Sequence, residues 1–235
     1  MKVKKRSEFV LTQMEISPFC DKVRRVLHYK GLSYTTREIG VAGISFLKRF
    51  APTGKVPILE YGDTRIWDST DICLALERMH PSPSLLPKDE LECADVLLLE
   101  DWADETLYFF EMLMRFSWPD DQKRWSLELA RRDNAVVRSL APFLVPKLVT
   151  KQVTFQGLAR KDRMHVLRDL ERLLDALTTR ISRGGWCVGG AMTLADIAVA
   201  AQLHCIQGSG EGAKAIAARP VLSEWKAKVD AATLP

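Results

Sequence analysis

A hydroxyl and a thiol stand close together in Ser17-Pro18-Phe19-Cys20, just after the apolar run Phe9-Val10-Leu11 and its polar exit Thr12-Gln13. That order reads as a strand, a short loop and a helix. Ser17 suits the N-cap, and Pro18 suits the first helical position because its missing N–H would have been unpaired there anyway. Phe19, Val23, Val26 and Leu27 recur at helical spacing, and Gly31 closes the helix after the basic Lys30. A helix N-terminus gathers unpaired N–H donors and partial positive charge, so it favours an anion such as a thiolate. The segment is therefore a candidate sulfur site. The structural alternative is that Ser17 only caps the helix and Cys20 only packs beneath it.

Other reactive side chains form weaker patterns. Glu100, Asp101, Asp104 and Glu105 place two carboxylate pairs at i,i+4 on one helix, but no histidine accompanies them in sequence. A solvated acidic stripe, or one facing Arg131-Arg132, is the expectation. The cysteines at 20, 73, 93, 187 and 205 are odd in number and widely spaced. They form no metal pattern with His28, His80, His165 and His204 and no disulfide framework, so no metal is expected and a reducing cytoplasm fits.

The elements that position the sulfur site alternate through residues 9 to 79. Phe9 to Gln13 is strand-like, 18 to 30 helical, and Tyr34 to Ile39 strand-like again. A short helical piece, Ile44 to Phe50, precedes the turn Ala51-Pro52-Thr53-Gly54. Pro57 to Tyr61 and Thr64 to Trp67 flank Gly62-Asp63 as a hairpin, and Asp71 to Met79 is helical. The order βαβ then ββα predicts a small mixed sheet with helices on both faces. His80-Pro81-Ser82-Pro83-Ser84 reads as a linker, and beyond it strand signals vanish. Leu91 to Phe116 is helical. A second helical stretch runs from 121 to about 148, bent or interrupted at Pro142 and Pro146. Lys161 to Arg183 is amphipathic. In Met192-Thr193-Leu194-Ala195-Asp196-Ile197, Thr193 caps a helix, Asp196 reaches back to the cap, and Met192 staples onto Ile197. Asp196 is expected to be buried and structural.

Composition bounds the rest. The 235 residues are 47% hydrophobic and 27% charged, as in an ordinary globular protein with a sizeable core. Net charge is +4, from 34 basic and 30 acidic residues. Residues 1 to 6 read as a short, frayed basic arm with no apolar segment behind it, so no secretory signal is expected. Without a longer basic stripe, nucleic acid is set aside, and the short apolar runs argue against a membrane span.

Four motifs in chain order carry a resemblance over about residues 9 to 230: Ser17-Pro18-Phe19, Pro52-Thr53-Gly54-Lys55-Val56-Pro57-Ile58-Leu59, Asp68-Ser69, and Thr193-Leu194-Ala195-Asp196-Ile197. Together they resemble the cytosolic glutathione transferases of the serine type. The resemblance implies a thioredoxin-like N-terminal domain at 8–80 and an all-helical C-terminal domain at 89–232. It implies glutathione as co-substrate, a small apolar electrophile as its partner, and a homodimer. Ser17 would donate a hydrogen bond to the glutathione sulfur without itself being the nucleophile. Pro57 would be cis, with Val56 pairing the cysteinyl backbone as an added strand. Phe19 would also line the glutathione site. Asp68 suits the γ-glutamyl ammonium group, Ser69 its carboxylate, and Lys55 the glycyl carboxylate. Some of Tyr108, Met112 and Phe116 would wall the second-substrate pocket. Relatives with cysteine at the Ser17 position form mixed disulfides; here Ser-x-x-Cys departs from that pattern, leaving Cys20 as a lesser redox candidate. The alternatives to conjugation are a glutathione-dependent reductase, peroxidase or isomerase, and a non-catalytic member binding glutathione or a protein.

Overall fold

The computed structural model describes residues 9–234; the basic arm at 1–6 and the expected domain start at residue 8 lie outside the described residues. The first half builds a four-stranded sheet in the order β2-β1-β3-β4. Its elements are β1 (Phe9–Gln13), α1 (Pro18–Tyr29), β2 (Tyr34–Glu38), α2 (Ile44–Leu47), β3 (Ile58–Tyr61), β4 (Thr64–Trp67) and α3 (Ser69–Met79). β1 pairs in parallel with β2 and antiparallel with β3, which pairs antiparallel with β4. This is the thioredoxin-like arrangement. The hairpin forms where Gly62 adopts φ 58, a left-handed conformation that glycine reaches without a Cβ penalty. Leu11, Val23, Val26, Leu27, Leu59, Ile72 and Leu76 close the core between the sheet, α1 and α3.

The second half is helical: α4 (Glu90–Trp102), α5 (Tyr108–Phe116), α6 (Gln122–Leu129), α7 (Ala135–Gln156), α8 (Arg163–Gly184), α9 (Leu194–Ile206), α10 (Gly210–Ala217) and α11 (Pro220–Thr233). A π-helical turn, Ala103–Leu107, joins α4 to α5, so the expected long helix is present with a bulge inside it. The stretch from 121 to 148 differs from expectation. It breaks between Leu129 and Ala135, where Asn134 accepts from the Val137 N–H at 3.0 Å and starts a new helix. α7 then continues through both Pro142 and Pro146. Each proline removes one backbone hydrogen bond, and their spacing of one turn puts both on the same side of the helix.

The capping box at α9 forms as expected. Asp196 Oδ2 accepts from the Thr193 N–H at 2.9 Å and its hydroxyl at 2.8 Å. Asp196 Oδ1 accepts from the Cys187 N–H at 2.8 Å and Trp225 Nε1 at 2.9 Å. The fully buried carboxylate is thereby satisfied on both oxygens.

The acidic stripe is a correction. Asp101 and Glu105 are exposed as expected, but Glu100 and Asp104 are buried, and they do not face Arg131-Arg132. Both accept from the ammonium group of Lys22 on α1, which is itself buried. Thr70 on α3 donates to Glu100 at 2.8 Å, and Gln202 on α9 reaches Asp104 at 3.5 Å. Arg131 instead pairs with Glu15 and Glu128. The physical reason is that α1 is sandwiched between the sheet and the helical half, so a lysine on its outer side meets protein instead of water. Arg25, one turn along, is likewise buried and bridges Asp21 at 2.7 Å and Asp230 of α11 at 2.7 Å.

Candidate functional site

Strand register brings the expected site residues together. Thr12 of β1 lies opposite Ile58 of β3, which lies opposite Trp67 of β4. The loop leading to Ser17, the Val56-Pro57 segment entering β3, and Asp68-Ser69 leaving β4 therefore emerge at one edge of the sheet. Two helix N-termini, those of α1 and α3, start at that edge.

Ser17 is the N-cap of α1, half-buried, with φ −79 and ψ 126. Its Oγ accepts from the Cys20 N–H at 3.4 Å. Because the oxygen acts as acceptor there, its hydroxyl hydrogen is left to donate outward. Cys20 lies under the first turn with no exposed surface, and burial pushes its thiol up to about 11. That is the packed, unreactive environment, opposite to the electropositive exposure of a redox cysteine.

Val56-Pro57 is cis, with Val56 half-buried and Pro57 buried. Lys55 is exposed at the rim. Asp68 is exposed, and among the described residues it is the one non-glycine with positive φ, at 78. Its carboxylate caps α3, accepting from the N–H groups of Thr70 at 2.9 Å and Asp71 at 3.4 Å. A strained backbone at a solvent-facing cap is a common mark of a ligand-facing position. Ser69, beside it, is buried. The half-buried Phe19 ring packs against Tyr108 of α5, with centroids 4.8 Å apart.

The cavity beside Ser17 is not the one foreseen. It holds about 230 Å³ and is lined by Glu15, Ile16, Asp21, Arg24, Arg115, Trp125, His204 and Cys205 together with Ser17. Met112 and Phe116 are buried in the core, and Tyr108 is spent against Phe19 and Phe109. α5 turns Arg115, instead of those three side chains, toward the cavity, because its apolar face is needed against α6, α7 and α9. A larger hollow of about 500 Å³ lies between the sheet and α2, lined by Arg37, Phe46, Phe50 and Glu60 among others, and does not include Ser17.

Comparison with known proteins decides the family. Residues 11–84 match the model for the glutathione S-transferase N-terminal domain, and residues 130–225 match the model for its C-terminal domain. The chain belongs to the glutathione S-transferase family. A crystal structure of a glutathione S-transferase from Rhodospirillum rubrum F11 superposes with a TM-score of 0.68 at 26% identity, covering 94% of this chain and 87% of that one. The beta-etherase LigF from Sphingobium sp. strain SYK-6 superposes with a TM-score of 0.71 at 20% identity over 95% of each chain, a likeness of fold. The GST-like protein YibF of Escherichia coli K12, itself uncharacterized, is 34% identical over 90 residues. That match spans 37% of this transferase-family chain and 45% of YibF.

Among the described residues, no group of three or more His, Cys, Asp or Glu is placed to hold a metal ion, and no helix is long and apolar enough to cross a membrane. The sequence carries no local signal that marks Lys22, Arg25 or Arg115. Each sits in a helix whose apolar spacing marks a single buried face, and only a second layer of helices makes the other face interior.

Proposed function

We propose that this chain is a glutathione transferase that holds glutathione along the Ser17, Pro57 and Ser69 edge and activates its thiolate for attack on an electrophile. The observation that carries the reading is the convergence of two capped helix N-termini and the cis Val56-Pro57 segment on one sheet edge. Val56 offers backbone groups to the cysteinyl residue, and Lys55 offers an ammonium to the glycyl carboxylate. The Asp68 carboxylate takes the γ-glutamyl ammonium, while Ser69 and the start of α3 take its carboxylate. Phe19 lines the same edge.

The chemistry falls to Ser17. A thiol of ordinary pKa is only about 3% ionised at pH 7, and lowering that pKa by about two units requires about 2.7 kcal/mol of preferential thiolate stabilisation. A hydroxyl donor at the positive end of α1 supplies contributions of that order. The sulfur then forms a bond to the electrophilic carbon, the leaving group departs with its bonding electrons, and the thiol proton passes to solvent. A thiol reductase working through a protein cysteine is less favoured on the same edge, because Ser17 has no thiol and Cys20 is enclosed. The free cysteines suit a reducing cytoplasm.

The test is Ser17→Ala. Turnover with an aryl halide should fall by about one to three decades, equivalent to about 1.4–4 kcal/mol, and the pKa of bound glutathione thiol should rise while glutathione affinity changes little. Unchanged turnover and thiol pKa would reduce Ser17 to a helix cap. A chain that binds glutathione without conjugating any electrophile would support the non-catalytic reading.

We also infer a homodimer. Met79 on α3 and Leu91 and Leu98 on α4 are exposed at 41%, 75% and 70%, presenting apolar surface on both halves of the chain. Sedimentation at micromolar concentration should return twice the chain mass; a monomer would count against it.

A further inference from the structure

We propose that the cavity beside Ser17 selects electrophiles bearing a carboxylate or a comparable oxyanion, and that Arg24 and Arg115 set this preference. The inference rests on the glutathione reading of Ser17, since it assigns the cavity to the reaction partner of the thiolate.

The cavity wall is chemically unlike a hydrophobic slot. Ile16, Trp125 and Cys205 give it apolar surface, but Asp21, Arg24 and Arg115 line it too, and His204 stands at its α9 side. An apolar guest would strip water from these groups and return no hydrogen bond, which cancels much of what its own burial contributes.

The two arginines are incompletely matched. Asp21 divides its carboxylate, with Oδ1 accepting from Arg24 at 3.0 Å and Oδ2 from Arg25 at 2.7 Å. The other partners of Arg24 are neutral: Gln13 Oε1 at 2.7 Å and the Glu15 carbonyl at 3.0 Å. The Glu15 carboxylate is turned away to Arg131.

Arg115 supplies the second, independent observation. Its side chain is 1% exposed, and it forms part of the cavity wall. Nη1 donates to Glu111 at 2.9 Å, and both Nη1 and Nη2 donate to the Ile16 carbonyl at 3.3 and 3.4 Å. Its Nε–H has no acceptor among the described residues. A buried N–H without an acceptor is destabilising, and the guanidinium plane is fixed over Trp125 at 3.8 Å. The Nε–H is itself enclosed, so a planar oxyanion supplies the missing acceptor by drawing the guanidinium across the Trp125 face toward the cavity.

The remaining charges nearby do not reverse the preference. Asp230, which also accepts from Arg25, is shared with Lys226 at 2.7 Å. Glu38 is engaged by the Gln13 amide, and Glu111 is committed to Arg115 inside α5.

Two S-aryl conjugates of glutathione test this directly, S-(2,6-dinitrophenyl)glutathione and its ring carboxylate, S-(4-carboxy-2,6-dinitrophenyl)glutathione. Calorimetric titration of the full chain should show the carboxylated conjugate binding about tenfold more tightly. The ratio of the two affinities should fall to within about threefold in Arg24→Gln. Arg115→Lys keeps the charge but loses the Nε donor and the fork, and should lower the ratio as well; glutathione affinity measured on each variant verifies an intact fold. Equal affinities in the wild type, or a preference that survives in both variants, would overturn the proposal while leaving the glutathione reading in place. If neither glutathione nor either conjugate binds, the reading of Ser17 fails and the anion preference fails with it.

Discussion

Lys22 of α1 and Glu100 of α4 meet at 2.5 Å although 78 residues separate them, and each is almost wholly enclosed. Burial opposes the charge on Lys22, but the Asp104 and Glu100 carboxylates outweigh it and raise its pKa, so the ammonium stays charged. Removing one partner from such a group is costly because the others remain desolvated and unpaired. Lys22→Met should therefore destabilise the fold by about 3–5 kcal/mol, read from urea unfolding. Adding Glu100→Gln and Asp104→Asn to Lys22→Met should restore a large part of that loss. A single Lys22→Met chain as stable as wild type would remove the network from the interactions that hold the halves together.

Asp104 gives stability a pH dependence of unusual sign. Burial raises its pKa to about 6, overcoming the attraction of Lys22, so the folded chain binds its proton more tightly than the unfolded one. The stabilising contribution is fully present below the unfolded value of about 3.8 and is lost as pH rises through about 6. Asp104→Asn should erase that slope, so its stability difference from wild type should change between pH 4 and pH 7. A difference that is flat across this window would contradict the assignment.

Asp68 joins a capping role to the proposed ammonium contact, and one substitution separates them. Asn is also a good N-cap and tolerates positive φ, so Asp68→Asn should leave stability close to wild type. It removes the charge, and glutathione should bind about tenfold more weakly. The thiol pKa of the saturated complex should stay near wild type, in contrast to Ser17→Ala. Unchanged affinity would confine Asp68 to its cap.

What was legible in the sequence was what short segments decide by themselves. The Ser17-Pro18 start of α1, the Gly62-Asp63 hairpin and the Thr193–Asp196 box each complete their hydrogen bonds within a few residues, so their chemistry is visible in the local order of side chains. The proline rule misled at α7, since Asn134 sets the break and the helix tolerates Pro142 and Pro146. The enclosed charges were illegible for a different reason. Glu100 and Asp104 at i,i+4 look the same whether the face they share meets water or Lys22, and nothing near either residue tells which. The same holds for Arg115, whose approach to Ser17 depends on packing between α5, α6 and α9. Helical periodicity marks one buried face, and a helix with a second layer laid over it hides its polar side as well.

Three cations of α1 and its cap reach in different directions: Lys22 to α4, Arg25 to α11, and Lys30 to Glu77 at 2.6 Å and the carbonyls of His80 and Pro83 at 2.7 and 2.8 Å. The helix that carries Ser17 at its tip is thus keyed to both halves of the molecule and to the segment between them. The two lobes are consequently not interchangeable cassettes. A chimera that joins this sheet lobe to a foreign helical lobe inherits Lys22 and Arg25 without their counterparts, unless the new lobe presents carboxylates where Glu100, Asp104 and Asp230 stand. Compatibility between lobes is written in those few acids, and graft points chosen by backbone superposition alone would miss it.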